Sequence, residues 1–231
     1  MRDYQDKERN RFYKKMNDEQ KELFHSIQDN IFTFCEAKSG TGKTTVSVAS
    51  VIDLLYQGKV SKVIYIQTCS ARFLDLGFLP GTLEEKTSNL YIALYDALTE
   101  LGFGEKEIEE MTSNGQLITM TDNALRGCNL EDAAIIVDES ENMGYHTLKL
   151  ILTRIHDNCH VVMIGDSCQK DQKGDNTVFI GYGEYLAQKI GKKVKLTKNY
   201  RGRLSKLAED YIYINRSNRK RAIALVGRAV L

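Results

Sequence analysis

The run Ala37-Lys38-Ser39-Gly40-Thr41-Gly42-Lys43-Thr44 sets two glycines, a lysine and hydroxyl side chains at the spacing of a phosphate cradle. Glycine lets successive backbone N–H groups converge on phosphate oxygens, and a helix N-terminus behind the loop adds positive dipole. Lys43 is then placed to reach β- and γ-phosphates, and Thr44 offers its hydroxyl to Mg2+. Ser39, Gly40, Thr41, Gly42, Lys43, Thr44 and Thr45 are the residues expected to contact a nucleoside triphosphate. Ala37 stands where the motif usually has its first glycine, which fits the looser form of the motif.

Two further runs end in acids. Ala133-Ala134-Ile135-Ile136-Val137-Asp138-Glu139 reads as a buried parallel strand that delivers carboxylates to the carboxyl edge of a sheet. Asp138 is expected to hold Mg2+ through its water shell, and Glu139 to accept a proton from an attacking water. His160-Val161-Val162-Met163-Ile164-Gly165-Asp166 repeats the form, with Gln169 three residues on. For Asp166 a functional acid and a solvated turn both remain open. Taken with the phosphate loop, these acids point to Mg2+-dependent ATP hydrolysis.

Those residues need a sheet and helices to bring them together, and the apolar periodicity supplies both. Asn17-Asp18-Glu19-Gln20 reads as a helix start leading into Leu23, Phe24 and Ile27, followed by strand 31–35, the loop and helix 44–56. Strand 62–67 precedes a long insertion, about 69–115, in which Leu83, Leu90, Leu94, Ala97, Leu98 and Leu101 recur at helical spacing. Residues 105–111 read as another helix before strand 117–120, and helix 145–155 separates strands 133–137 and 160–164. Pro80-Gly81 marks a turn in the insertion. This alternation predicts an α/β fold with a mostly parallel central sheet, covered on both faces and binding ligands at its carboxyl edge.

With 231 residues and 42% hydrophobic side chains, the chain can bury one good core. No apolar stretch approaches a membrane span and the charged N-terminus is unlike a signal peptide, so a cytoplasmic protein without membrane contact is expected. The five cysteines form no C-x-x-C pair, and Cys35, Cys69 and Cys159 read as small buried apolar residues. The net charge of +1 hides an asymmetry: Gln188 to Leu231 holds 13 Lys+Arg and 2 Asp+Glu, net +11, leaving 19 and 29, net −10, before it. Lys189, Lys192, Lys193, Lys195 and Lys198 crowd one stretch; Arg216, Arg219, Lys220 and Arg221 crowd another, near Tyr211 and Tyr213. A polyanion-binding surface and a face paired with the acidic body or a neighbouring subunit are both compatible with this pattern.

Gly77-Phe78-Leu79-Pro80-Gly81-Thr82-Leu83-Glu84-Glu85-Lys86, with Leu90-Tyr91 and Leu94-Tyr95-Asp96-Ala97-Leu98 after it, resembles the signature insertion of PhoH-like ATPases, relatives of the superfamily 1 helicase motor. Leu125-Arg126-Gly127 and Leu130 to Asn142 resemble that family's segment around its catalytic acids. The resemblance implies a three-layer RecA-like P-loop NTPase domain over 17–210 with a helical insertion, an N-terminal helical extension at 1–16 and a basic tail at 211–231. It also implies ATP and Mg2+ as cofactors and single-stranded RNA or DNA as a partner.

The same kinship implies roles for single residues. Gln20 is similar to the glutamine that reads the adenine edge, and Gln169 to the one that senses the γ-phosphate. Leu196-Thr197-Lys198-Asn199-Tyr200-Arg201-Gly202 resembles the segment whose arginine reaches the γ-phosphate, making Arg201 the transition-state arginine. Lys43, Asp138, Glu139, Gln169 and Arg201 form the expected catalytic set, with Thr44 and Asp138 on the metal. Glu141 departs from the family, which commonly has glutamine there. About thirty residues follow Arg201, so no second motor domain is expected, and Arg201 acts either on its own nucleotide or on a neighbour's in a head-to-tail homo-oligomeric ring. The alternative to a nucleic-acid-dependent ATPase is a nucleotide-controlled regulatory module with slow hydrolysis, of the kind a phage would encode.

Overall fold

The computed structural model describes residues 2–68, 89–167 and 177–210. Gln169, the stretch Gly77 to Lys86, Tyr211, Tyr213 and the basic cluster Arg216, Arg219, Lys220 and Arg221 lie outside the described residues.

Helix α1 (Arg2–Lys15) leads into α2 (Asp18–Asp29), whose start is fixed chemically. Asn17 accepts the Gln20 N–H through its side chain while Gln20 returns a carbonyl to the Asn17 N–H, a reciprocal cap that contributes about 1 kcal/mol. Strand β1 (Phe32–Ala37), the phosphate loop and α3 (Lys43–Tyr56) follow, then β2 (Lys62–Gln67). Helices α4 (Ile92–Glu100) and α5 (Glu105–Ser113) precede β3 (Leu117–Thr121) and β4 (Ala133–Asp138). Next come α6 (Tyr145–Leu152), β5 (His160–Gly165), α7 (Thr177–Ile190), β6 (Gly191–Leu196) and α8 (Arg203–Asp210).

The six strands form one sheet in the order β3-β2-β4-β5-β1-β6, and every pairing is parallel. The fold is thus α/β in three layers, and the sheet is parallel throughout rather than mostly so. Period-two alternation sorts the side chains: Ala134 and Ile136 join Tyr65, Val162 and Ile164 on the face under α2, α3 and α4, whereas Ala133, Ile135 and Val137 join Phe32, Phe34 and Phe179 on the other. Leu94, Ala97, Leu98 and Leu101 are all buried, as their helical spacing predicts, and each fully buried leucine contributes on the order of 2 kcal/mol. Cys35 and Cys159 are buried too. No described helix is long and apolar enough to cross a membrane.

One feature departs from the sequence reading and another was not read from it. Helix α6 stops at Leu152 instead of 155, because 153–154 form a turn and Ile155 bridges in parallel to Leu130: Leu130 N–H donates to the Arg154 carbonyl and His156 N–H to the Leu130 carbonyl. The lysine-rich stretch is a sheet edge. In β6, Val194 and Leu196 are buried while Lys193 and Lys195 point outward; Lys192 pairs with Glu22 at 2.7 Å and Lys193 with Glu184 at 2.5 Å. Lysines on an exposed edge also discourage pairing with another chain.

Candidate active site

The carboxyl ends of β1, β4 and β5 meet at the N-terminus of α3. Gly42, the cap of α3, takes the left-handed φ of +82°, and Gly40 takes +73°, so a side chain at either position would be strained. Both also lie against neighbours. A Cβ on Gly42 would come 2.9 Å from Gln20 Nε2, and one on Gly40 would come 2.8 Å from both Arg201 Cγ and Asn199 Oδ1. The loop therefore has a wall from α2 on one side and from the 199–201 segment on the other.

That second wall is anchored at several points. Tyr200 N–H donates to the Gly40 carbonyl at 2.7 Å, and Arg201 Nη1 donates to Ser39 Oγ at 2.5 Å. Asn199 accepts the Arg201 N–H at 2.8 Å, and Asn17 donates to the Tyr200 hydroxyl at 2.9 Å. Further back, Glu19 accepts from both the N–H and the hydroxyl of Thr197, bonds that hold its carboxyl below the usual range, the hydroxyl most strongly. Sequence spacing could not show this closure, since it joins residues about 160 positions apart. Asp166, the acid left open above, accepts the Ser39 N–H at 3.0 Å.

Beneath the loop, Asp138 is 2% exposed and collects three donors. Its Oδ2 accepts from Thr44 Oγ1 at 3.1 Å and from the Tyr65 hydroxyl at 2.5 Å, and its Oδ1 accepts the Glu139 N–H at 2.7 Å. A hydroxyl and a carboxylate meeting at a helix N-terminus are hard oxygen donors of the kind that fit Mg2+. The phenol of Tyr65, raised well above its ordinary pKa chiefly by burial and then by the Asp138 charge, stays protonated and so remains a donor. Sequence reasoning did not find Tyr65, because its partner is set by strand register.

Glu139 adopts φ +49°, one of two non-glycine residues with positive φ among those described, and its side chain is exposed. Such a backbone costs on the order of 1 kcal/mol or more and persists where surrounding contacts over-determine it. Glu141, 5% exposed, is pushed up to about 7, first by burial and with a further contribution from the Glu139 charge, against the opposing pull of backbone N–H groups and Lys43. Its Oε2 lies over Gly165, where a Cβ would collide with it.

A cavity of about 250 Å3 opens beside the first turn of α3, lined by Phe12, Met16, Gln20, Gly42, Thr45 and Tyr200 among others. Gln20 enters it already engaged: its carbonyl serves the helix cap and its amide donates to the Thr41 carbonyl at 3.1 Å, leaving one N–H and one carbonyl lone pair for a base. The structure thus brings Gln20, Ser39, Gly40, Thr41, Gly42, Lys43, Thr44, Thr45, Asp138, Glu139 and Arg201 to one edge of the sheet.

Comparison with known proteins gives a family and a fold. A family model described as PhoH-like protein matches residues 13–198. A PhoH-like protein of Mycobacterium leprae is 34% identical over 155 residues, 67% of this chain and 44% of that protein, so the aligned part spans less than half of the relative. Among solved structures, the large terminase of the thermophilic bacteriophage D6E superposes with a TM-score of 0.55 at 13% identity, covering 85% of this chain and 50% of the terminase. The same terminase in complex with ADP superposes with a TM-score of 0.50 at 13% identity, covering 78% of this chain and 45% of that one. These likenesses identify the sheet and its helices as a RecA-like P-loop NTPase fold.

Proposed function

The chain belongs to the PhoH-like protein family, a nucleotide-binding ATPase family, and from that premise we propose that it binds ATP with Mg2+, hydrolyses it, and acts on or is stimulated by single-stranded RNA or DNA. The observation that carries the reading is the meeting of Thr44, Asp138 and the Glu139 turn beneath the phosphate loop. In this reading the adenine enters the cavity between Phe12, Gln20 and Tyr200, and the loop N–H groups and Lys43 take the phosphates. Thr44 and Asp138 would hold Mg2+, which supplies charge neutralisation at the phosphates when bound. Glu139 accepts the proton of the water whose oxygen attacks the γ-phosphorus; the bond to the β-phosphate oxygen breaks, and ADP and phosphate leave.

Arg201 then acts on its own nucleotide. The Ser39 and Gly40 contacts within one chain support this, and under it Arg201 needs no ring of subunits. Gln169 completes the catalytic set as the γ-phosphate sensor.

Single-strand contact is supported by a strip of side chains that begins three residues after the turn bearing Glu141, in which Tyr145, Lys149, Tyr185 and Lys189 are exposed and Tyr182 is half-buried. Tyr145 and Tyr182 lie with ring centroids 5.9 Å apart, Lys149 Nζ is over the Tyr145 ring at 5.7 Å, and Tyr185 and Lys189 continue the same face of α7. Rings for base stacking beside lysines for phosphates are what non-specific strand binding uses. Glu141, replacing the family's glutamine, favours the second reading, a regulatory module with slow turnover. Phosphate release measured with Mg2+ and ATP, with and without single-stranded RNA or DNA, separates them: stimulation by a strand supports the ATPase reading, and slow turnover indifferent to strands supports the module.

A further inference from the structure

We propose that Tyr65 is a positioning residue for Asp138, its hydroxyl fixing the orientation in which the carboxylate serves Thr44 and a divalent cation. This rests on the reading of the site as a Mg2+-dependent nucleotide site. Tyr65 lies on β2 opposite Ile136 of β4, and Ile136 and Asp138 share a sheet face, so the long ring reaches diagonally along that face to the acid. The ring is completely buried and lies edge-on to Tyr91, with centroids 6.2 Å apart and planes at 81°. A phenylalanine would fill this interior as well. What the hydroxyl adds is the 2.5 Å bond to Asp138 Oδ2.

The aspartate χ2 torsion is broad, so donors decide how the carboxylate is turned. With Thr44 and Tyr65 on Oδ2 and the Glu139 N–H on Oδ1, the plane of the group is defined from both ends. Thr44 has a second duty, since its oxygen lone pair is wanted by the cation, whereas Tyr65 has none. Removing the Tyr65 hydroxyl leaves Oδ2 with Thr44 alone and lets the carboxylate rotate. Outer partners of metal-holding groups typically change metal affinity by about 10- to 100-fold when removed, and the low end is expected here because two donors remain.

The test compares wild type with Tyr65→Phe in two assays, each run against free Mg2+: ADP affinity by calorimetry, including a metal-free arm with chelator, and ATP turnover. The proposal expects metal-free ADP affinity to change less than about twofold, the free Mg2+ giving half-maximal ADP affinity and turnover to rise about 10-fold, and high Mg2+ to restore most of the rate. Unchanged Mg2+ half-saturation in both assays overturns it. So does a Tyr65→Phe protein that loses metal-free ADP binding together with its fold, which assigns the hydroxyl to stability alone. If wild type shows neither Mg2+-dependent ADP binding nor turnover, the functional reading itself fails and the proposal with it.

Discussion

Arg201 lies folded onto Gly40 of its own chain, its Cγ only 2.8 Å from where a Cβ on that glycine would stand. With Nη1 on Ser39, the guanidinium is already at the mouth of the phosphate loop. Arg201→Ala should lower ATP turnover by roughly 10³-fold, the scale at which such arginines act. Mixing Arg201→Ala with Lys43→Ala protein distinguishes the two geometries. Action within one chain predicts no recovery of turnover in the mixture, and recovery would place Arg201 in a neighbour's site.

Glu139 offers a separation of binding from chemistry. Glu139→Gln keeps the shape but cannot take a proton, so nucleotide affinity should persist while turnover falls by roughly 10²-fold or more. Equilibrium binding of ATP alongside single-turnover hydrolysis checks this, and loss of both together would make the residue structural.

Much of this was legible in the chain. The apolar runs ending at Ala37, Asp138 and Asp166 are buried strands whose carboxyl ends face one edge, because a strand covered on both faces reads as a short continuous apolar run. Strand β6 was missed, since a sheet edge buries only Val194 and Leu196 and spends its remaining positions on Gly191 and three lysines that look like a polyanion face. Tyr65 was missed for a different reason. Its chemistry depends on the offset between β2 and β4, and register is a property of two strands that neither one encodes alone. Gln20 shows a third limit: its type suits reading a base, yet the cap at Asn17 and the Thr41 carbonyl claim half of its hydrogen-bonding capacity.

Glu141 gives the fold a pH dependence. Its value of about 7 stands above the ordinary 4.5, so the folded protein retains a proton that the unfolded chain releases. Stability from this group is full below about pH 4.5, declines as pH rises towards about 7 and is level above that. Glu141→Gln removes the charge and should flatten that decline, leaving the variant more stable than wild type at pH 8 by at most about 3 kcal/mol. Urea unfolding at pH 5 and pH 8 reads the difference directly. An equal slope in both proteins would show that Glu141 is not the responsible group.

The central claim is that the loop from Ser39 to Thr44 is where ATP is bound and cleaved, and phosphate release by wild type and Lys43→Ala in Mg2+ and ATP tests it most directly. Lys43 opens α3 at the loop, so its removal takes away the charge that meets the β- and γ-phosphates while leaving the buried face of the helix intact. Wild-type turnover that disappears in a Lys43→Ala protein with an unchanged thermal transition is the predicted result; equal turnover in the two proteins would contradict the account.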